Sequence, residues 1–296
     1  MLSSPTSPGR PKSAARIGVA VLAATAATAG SVTLGAQLPA NAMADARNVS
    51  PDVRANSLVR MTIGNMNCTG TLIAPQWVLT ARHCIGEGTH SELTIGGLRI
   101  GETFRGTEAI LHPAADLALI RLDHPSGAQV AGLSGTNLQP GTTGNSVGWG
   151  GWNRLNQFVA QQGDATIVRR VVNVPSPDPG AQLLEAGVTG GRLIPGDSGG
   201  PLFVNGQLAG VLSMSTDTTN ESRNGTMGWY VPVAEHLDWI GRQTGIPVPA
   251  ATGAPSQLVD ATAYPSQIPP VQVLNIPATG SSLIDGSLRS LILGSS

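Results

Sequence analysis

The stretch Gly196-Asp197-Ser198-Gly199-Gly200-Pro201 sets one serine among three glycines and an aspartate, just ahead of the apolar run Leu202-Phe203-Val204. Glycine has no Cβ, so its backbone turns tightly and lets a ligand come close. Two backbone N–H groups aimed into one small cavity make a site for developing negative charge. A serine hydroxyl beside that cavity is a nucleophile, weak until a base takes its proton, and the base in turn needs an orienting partner. The chain upstream supplies both residue types. His83 lies near the end of Trp77-Val78-Leu79-Thr80-Ala81-Arg82-His83-Cys84, and Asp116 heads Asp116-Leu117-Ala118-Leu119-Ile120. A carboxylate entering a buried strand needs hydrogen-bond donors. Taken alone, Asp116 reads equally well as a loop-end residue capping a turn.

The elements that must position these groups are short strands. Ser57 to Ile63, Cys68 to Ile73 and Trp77 to Thr80 form a first set, with Ala74-Pro75-Gln76 as a turn. Ser91 to Ile95, Thr107 to Leu111 and the run after Asp116 continue it. Ser146 to Gly150, Asp164 to Val174, Leu184 to Val188, Pro201 to Val204, Gln207 to Met214 and Trp229 to Val233 form a second set. Asn205-Gly206 is the preferred two-residue hairpin turn. The one helical pattern is Ala234 to Thr244, with Leu237 and Ile240 on one face and Gly245 as the stop. From Ile246 onward Pro, Ser, Ala and Thr dominate without periodicity, which reads as a linker or disordered tail.

Composition bounds the rest. In 296 residues the formal net charge is -1 and charged residues make up 12%, so nothing points to nucleic acid or an anionic membrane as partner. Gly 38 and Pro 22 suit a turn-rich β protein. Arg10, Lys12 and Arg16 precede an uncharged apolar stretch, Ile17 to Ala29, and small-residue cleavage patterns follow at Ala40-Asn41-Ala42 and Ala42-Met43-Ala44. This is the form of an export signal, too weak for a comfortable membrane anchor. The expected mature chain starts between Met43 and Ser57, is secreted and monomeric, and has no stable membrane association once the signal is cut.

Only two cysteines occur, Cys68 and Cys84. In an exported chain such a pair reads as a disulfide. Two free thiols, or half of a metal site with His83, are the alternatives, but no second ligand pair has zinc-like spacing. A bridge would close a loop of about 15 residues, worth about 3 kcal/mol by chain entropy, and fix the backbone beside His83.

The three segments around His83, Asp116 and Ser198, in that order, resemble the trypsin/chymotrypsin-like serine peptidases, here of a bacterial, secreted kind. Other folds that carry the same triad use other chain orders. The resemblance covers about Ser57 to Gln243. It implies an all-β fold of two six-stranded antiparallel barrels with a C-terminal helix and a site in the cleft between them. Residues 1–44 are then the signal and leader, 45–245 the peptidase domain, and 246–296 the Pro/Ser/Ala-rich tail. It further implies Ser198 as nucleophile, His83 as general base and then acid, and Asp116 as the residue that orients His83. The N–H groups of Gly196 and Ser198 form the oxyanion hole, and Asp197 pairs with a new N-terminal ammonium. The substrate is a polypeptide, and neither cofactor nor metal is implied.

Several departures from the family pattern stand out. Arg82 replaces a second alanine before the histidine and is expected to point to solvent. No Ile-Val-Gly-Gly segment lies near the mature start, which leaves the partner of Asp197 unassigned. Arg192, six residues before Ser198, takes the place at the base of the specificity pocket and favours acidic P1 side chains. Ser213 and Ser215 are expected to line the substrate strand, with Met214 and Ser215 replacing Trp and Gly. The alternative function is an inactive relative acting as an extracellular binding module, which loss of a triad residue would mark. A lipase or esterase is disfavoured by chain order and by the absence of βα alternation around Ser198.

Overall fold

A computed structural model describes residues 43, 46–87, 90–98, 101–152, 158–174, 180–216 and 226–263. The export signal and the apolar stretch Ser282 to Leu293 lie outside the described residues. In chain order the first half contributes β1 (Arg47–Asn48), the short helix α1 (Val53–Asn56), β2 (Leu58–Ile63), β3 (Met66–Ala74) and β4 (Trp77–Thr80). It continues with a 3₁₀ turn (Arg82–Cys84), β5 (Ser91–Ile95), β6 (Thr103–Phe104), β7 (Gly106–Leu111) and β8 (Ala118–Leu122). The second half contributes β9 (Thr143–Gly148), β10 (Gln161–Val172), β11 (Leu183–Thr189), β12 (Pro201–Val204), β13 (Gln207–Ser215) and β14 (Thr226–Pro232). Helix α2 (Leu237–Thr244) and β15 (Leu258–Asp260) follow.

These strands make two barrel-like sheets. The first runs β6-β5-β2-β3-β4-β8-β7. The second runs β10-β11-β14-β13-β12-β9 and closes on itself through a β9–β10 pairing, with β1 and β15 added alongside β10. Closure gives each of these six strands a partner on both sides. Residue alternation drives both. In β10, Ala165 and Ile167 are buried while Thr166 and Val168 are exposed, as a strand with one face on a core requires. The β12–β13 hairpin turns at Asn205 (φ 50) and Gly206 (φ 74), the positive pair of angles that an Asn-Gly turn supplies. Leu72, Leu79, Leu93, Phe104 and Leu119 fill the first barrel, and Ile167, Leu184, Val188, Leu202 and Tyr230 fill the second.

Two features differ from the pattern read in the sequence. Residues 246–263, which read as linker or tail, lie along the second barrel. Thr252 N donates to Gly135 O at 2.7 Å, Asn137 Nδ2 donates to Gly253 O at 2.8 Å, and β15 pairs in parallel with β10. This attachment runs largely through main-chain groups of residues 252–261, which need no hydrophobic period. The chain before β2 is likewise built in: Met43 is fully buried against the second core, and β1 pairs with β10.

Candidate active site

His83 sits in the 3₁₀ turn that leaves β4, and Asp116 in the loop His112 to Leu117 between β7 and β8. Because β4 and β8 pair side by side, with Thr80 opposite Ala118, their ends bring the two residues together. Asp116 is 4% exposed. Its Oδ1 accepts from His83 N at 2.9 Å, and its Oδ2 from His83 Nδ1 at 2.7 Å. Oδ2 also accepts from Ser213 Oγ at 2.6 Å. Burial pushes the Asp116 carboxyl up, but the His83 ring, its charge, the Ser213 hydroxyl and the His83 amide together hold it below its ordinary value. A carboxylate accepting three bonds stays ionised, and it fixes the proton of His83 on Nδ1. That leaves Nε2 as the acceptor on the far side of the ring. The cysteines beside His83 form the Cys68–Cys84 disulfide, Cα–Cα 6.0 Å, so their sulfurs are committed and do not make a metal site with it.

Ser198 reaches this place from the second barrel. Its carbonyl accepts from Thr69 N at 2.8 Å, and Thr69 follows the bridged Cys68. Gly199 (φ +76) presses on β4 so closely that a Cβ there would lie 2.1 Å from Thr80 Oγ1 and 3.0 Å from Ala81 N. Only glycine permits that approach. Ser198 is partly exposed. Among the described residues no hydrogen bond joins Ser198 Oγ to His83 Nε2. Such bonds commonly tighten only once substrate is bound.

The neighbouring amides are sorted. Asp197 N donates to Ile194 O at 3.0 Å, Gly199 N to Leu212 O at 2.8 Å and Gly200 N to Asp197 O at 2.8 Å. Among the described residues the N–H groups of Gly196 and Ser198 have no protein acceptor, which is the condition for a pair of amides to receive an oxyanion. Thr69 Oγ1 steadies the turn by donating to Gly196 O at 2.8 Å. Behind it Asp197 is completely buried, and its carboxylate accepts from Gly150 N at 2.7 Å and Ile194 N at 2.9 Å. Burial pushes that carboxyl up to about 7, against the pull of these two amides.

The remaining expected residues are placed as follows. Arg192 is buried, with partners of its own, on the segment between β11 and β12. Ser215 is half-buried at the end of β13. Ser213, expected to serve the substrate strand through its backbone, also sends its hydroxyl to Asp116. A register shift between Leu212 and Met214 marks a bulge at Ser213, and a bulge re-aims a side chain that strict alternation would place otherwise. Arg82, expected in solvent, turns back so that its Nη1 donates to His112 O at 3.0 Å.

Residues 48–240 match the trypsin family. Two Corynebacterium glutamicum proteins that carry the name peptidase, from different strains, are each 52% identical over 273 residues, 92% of this chain and 96% of theirs. A snake venom serine protease of Trimeresurus stejnegeri is 30% identical over 207 residues, 62% of this chain and 80% of its own.

Proposed function

Because the chain belongs to the trypsin family and is a serine-type peptidase, we propose that it is a secreted endopeptidase working through His83, Asp116 and Ser198. Ser198 Oγ attacks the scissile carbonyl while His83 Nε2 takes its proton. The amides of Gly196 and Ser198 receive the oxyanion, and His83 then protonates the leaving amine. Water repeats the sequence on the acyl-enzyme. Asp116 holds the ring and stabilises its charged form. The observation that carries this reading is the hold of Asp116 on both the main chain and the ring of His83, at 2.9 and 2.7 Å. A fluorophosphonate should label Ser198 and no other serine, and should abolish hydrolysis of peptide substrates. An unlabelled Ser198 in an active preparation would overturn the assignment.

Two finer points belong to the same proposal. Arg192, by resemblance at the base of the specificity pocket, favours an acidic P1 side chain. A fluorogenic P1 library should show Glu or Asp above Lys and Arg by at least about tenfold, the size of one charge–charge term in a partly buried site. A preference for Lys or Arg rules this out. Maturation, by resemblance, requires an ammonium for Asp197. Signal cleavage after Ala40-Asn41-Ala42 makes Met43 the first residue. Met43 is fully buried in the cluster that contains Leu193 and Tyr230, and Tyr230 feels the charge of Asp197. Removal of the signal is then itself the activating cut, and no separate propeptide is needed.

A further inference from the structure

We propose that Arg82 and His112 are positioning residues that hold the Asp116 loop at the distance His83 requires. This rests on the triad reading above, but its support is separate. Asp116 lies in a loop bounded by His112 and Leu117, closed by His112 N donating to Leu117 O at 2.9 Å. A loop this short, with Pro113, Ala114 and Ala115 ahead of Asp116, has few side chains of its own to fix that approach. His112 does the fixing from inside. Its Nδ1 accepts from Ala114 N at 3.1 Å and from Ala115 N at 2.8 Å, so the residue just before Asp116 hangs from the imidazole ring. A ring nitrogen can accept these bonds only while it carries no proton. Burial, with the charge of Arg82 adding to it, lowers the His112 pKa, which favours that state.

Two outside elements hold His112 in turn. On one side its ring meets His236 edge-on at 4.7 Å and Trp239 at 4.9 Å, both from the region of α2. His236 is pushed down to about 4, by burial first and then by His112, so this stack is uncharged at neutral pH. On the other side Arg82 Nη1 donates to the His112 carbonyl at 3.0 Å. Arg82 immediately precedes His83. The same short turn therefore grips the loop at both ends: Arg82 holds its first residue, and the main chain and ring of His83 hold Asp116. With both grips in place, the imidazole and the carboxylate move as one body. Without Arg82, Asp116 keeps its bonds to His83 and Ser213, but the loop beneath it can tilt. A displacement of about 1 Å at such a site costs on the order of 10²-fold in rate.

The test is a set of four variants measured on the mature enzyme beside Ser198→Ala. Arg82→Ala should lower kcat about tenfold with KM within about twofold, the mark of a loss confined to the transition state. Arg82→Lys, which still carries a donor on a long stem, should recover most of that loss. His112→Leu should lose at least as much as Arg82→Ala, and His112→Asn, whose side-chain oxygen can accept from Ala114 and Ala115, should recover part. The proton between His83 Nδ1 and Asp116 Oδ2 should give a downfield NMR signal in the parent enzyme, and that signal should broaden or shift in Arg82→Ala. A merely structural role would change the melting temperature and leave that signal unmoved. If His112→Leu does not fold, the Arg82 pair still decides, because Arg82 is half-buried at the surface. An Arg82→Ala enzyme with kcat within twofold of the parent and an unchanged proton signal overturns the inference. If Ser198→Ala stays active, it is the triad reading that fails. An inactive Ser198→Ala beside a fully active Arg82→Ala defeats the positioning role alone.

Discussion

Asp116→Asn should lower kcat by about 10⁴-fold, the size of the same change in other triads of this type, while the enzyme still folds and binds substrate. The donors around Asp116 explain why so conservative a change costs so much. Oδ1 takes the His83 amide, and Oδ2 takes both the His83 ring and the Ser213 hydroxyl. Asparagine has one acceptor oxygen. If that oxygen stays on the His83 amide, the NH₂ group faces Nδ1. The ring must then accept there and carry its proton on Nε2, where it cannot take one from Ser198. If the amide flips, the His83 main-chain N–H loses its acceptor in a site that is 4% open, and the 3₁₀ turn loosens. Ser213→Ala removes only one of three donors and should cost far less, on the order of tenfold. Turnover normalised to titrated active sites distinguishes these outcomes. A loss below about tenfold for Asp116→Asn would mean that His83 does not depend on this carboxylate.

The sequence exposed the reacting groups more fully than the groups that hold them. His83 and Ser198 lie in segments whose composition is itself the signal, a disulfide-linked strand end and a glycine-rich turn. Asp116 is ambiguous in the sequence alone, since an aspartate between a loop and an apolar run fits either role. Ser213 and Arg82 went the other way. The role of Ser213 depends on a bulge, and a bulge leaves no trace in residue alternation. Arg82 reads as a solvated cation because its acceptor, the His112 carbonyl, is a main-chain atom that every residue carries. Main-chain pairing also hid the docking of residues 246–263, and of β1 and β6. The closed second barrel was legible only as a set of short strands. Its closure depends on the β9–β10 pairing, which joins segments with no local pattern in common.

Asp197→Asn should have opposite effects on stability before and after the cut at Met43. In the uncut chain, among the described residues no cation pairs with Asp197, and burial raises its carboxyl to about 7. An unfolded aspartate releases its proton near pH 3.9. Between those values the native state holds a proton that the unfolded state has lost, so stability falls as pH rises through the window, by up to about 4 kcal/mol. Asparagine cannot ionise and escapes this cost, while its single oxygen leaves either Gly150 N or Ile194 N without an acceptor, a loss of about 1–3 kcal/mol; on balance it should stabilise the uncut form at pH 8 by about 1–3 kcal/mol. On the maturation proposed above, the Met43 ammonium would supply the missing charge in the cut form, returning the carboxyl to its ionised state as a buried pair. Removing one partner of a buried pair leaves the other uncompensated and costs about 3–5 kcal/mol. The same substitution should therefore destabilise the mature enzyme. Urea unfolding at pH 8 measures both, with Ser198→Ala present in each chain to prevent self-digestion, and with one chain beginning at Met43 and the other extended upstream. A shift of the same sign in the two chains would show that the new terminus does not meet Asp197.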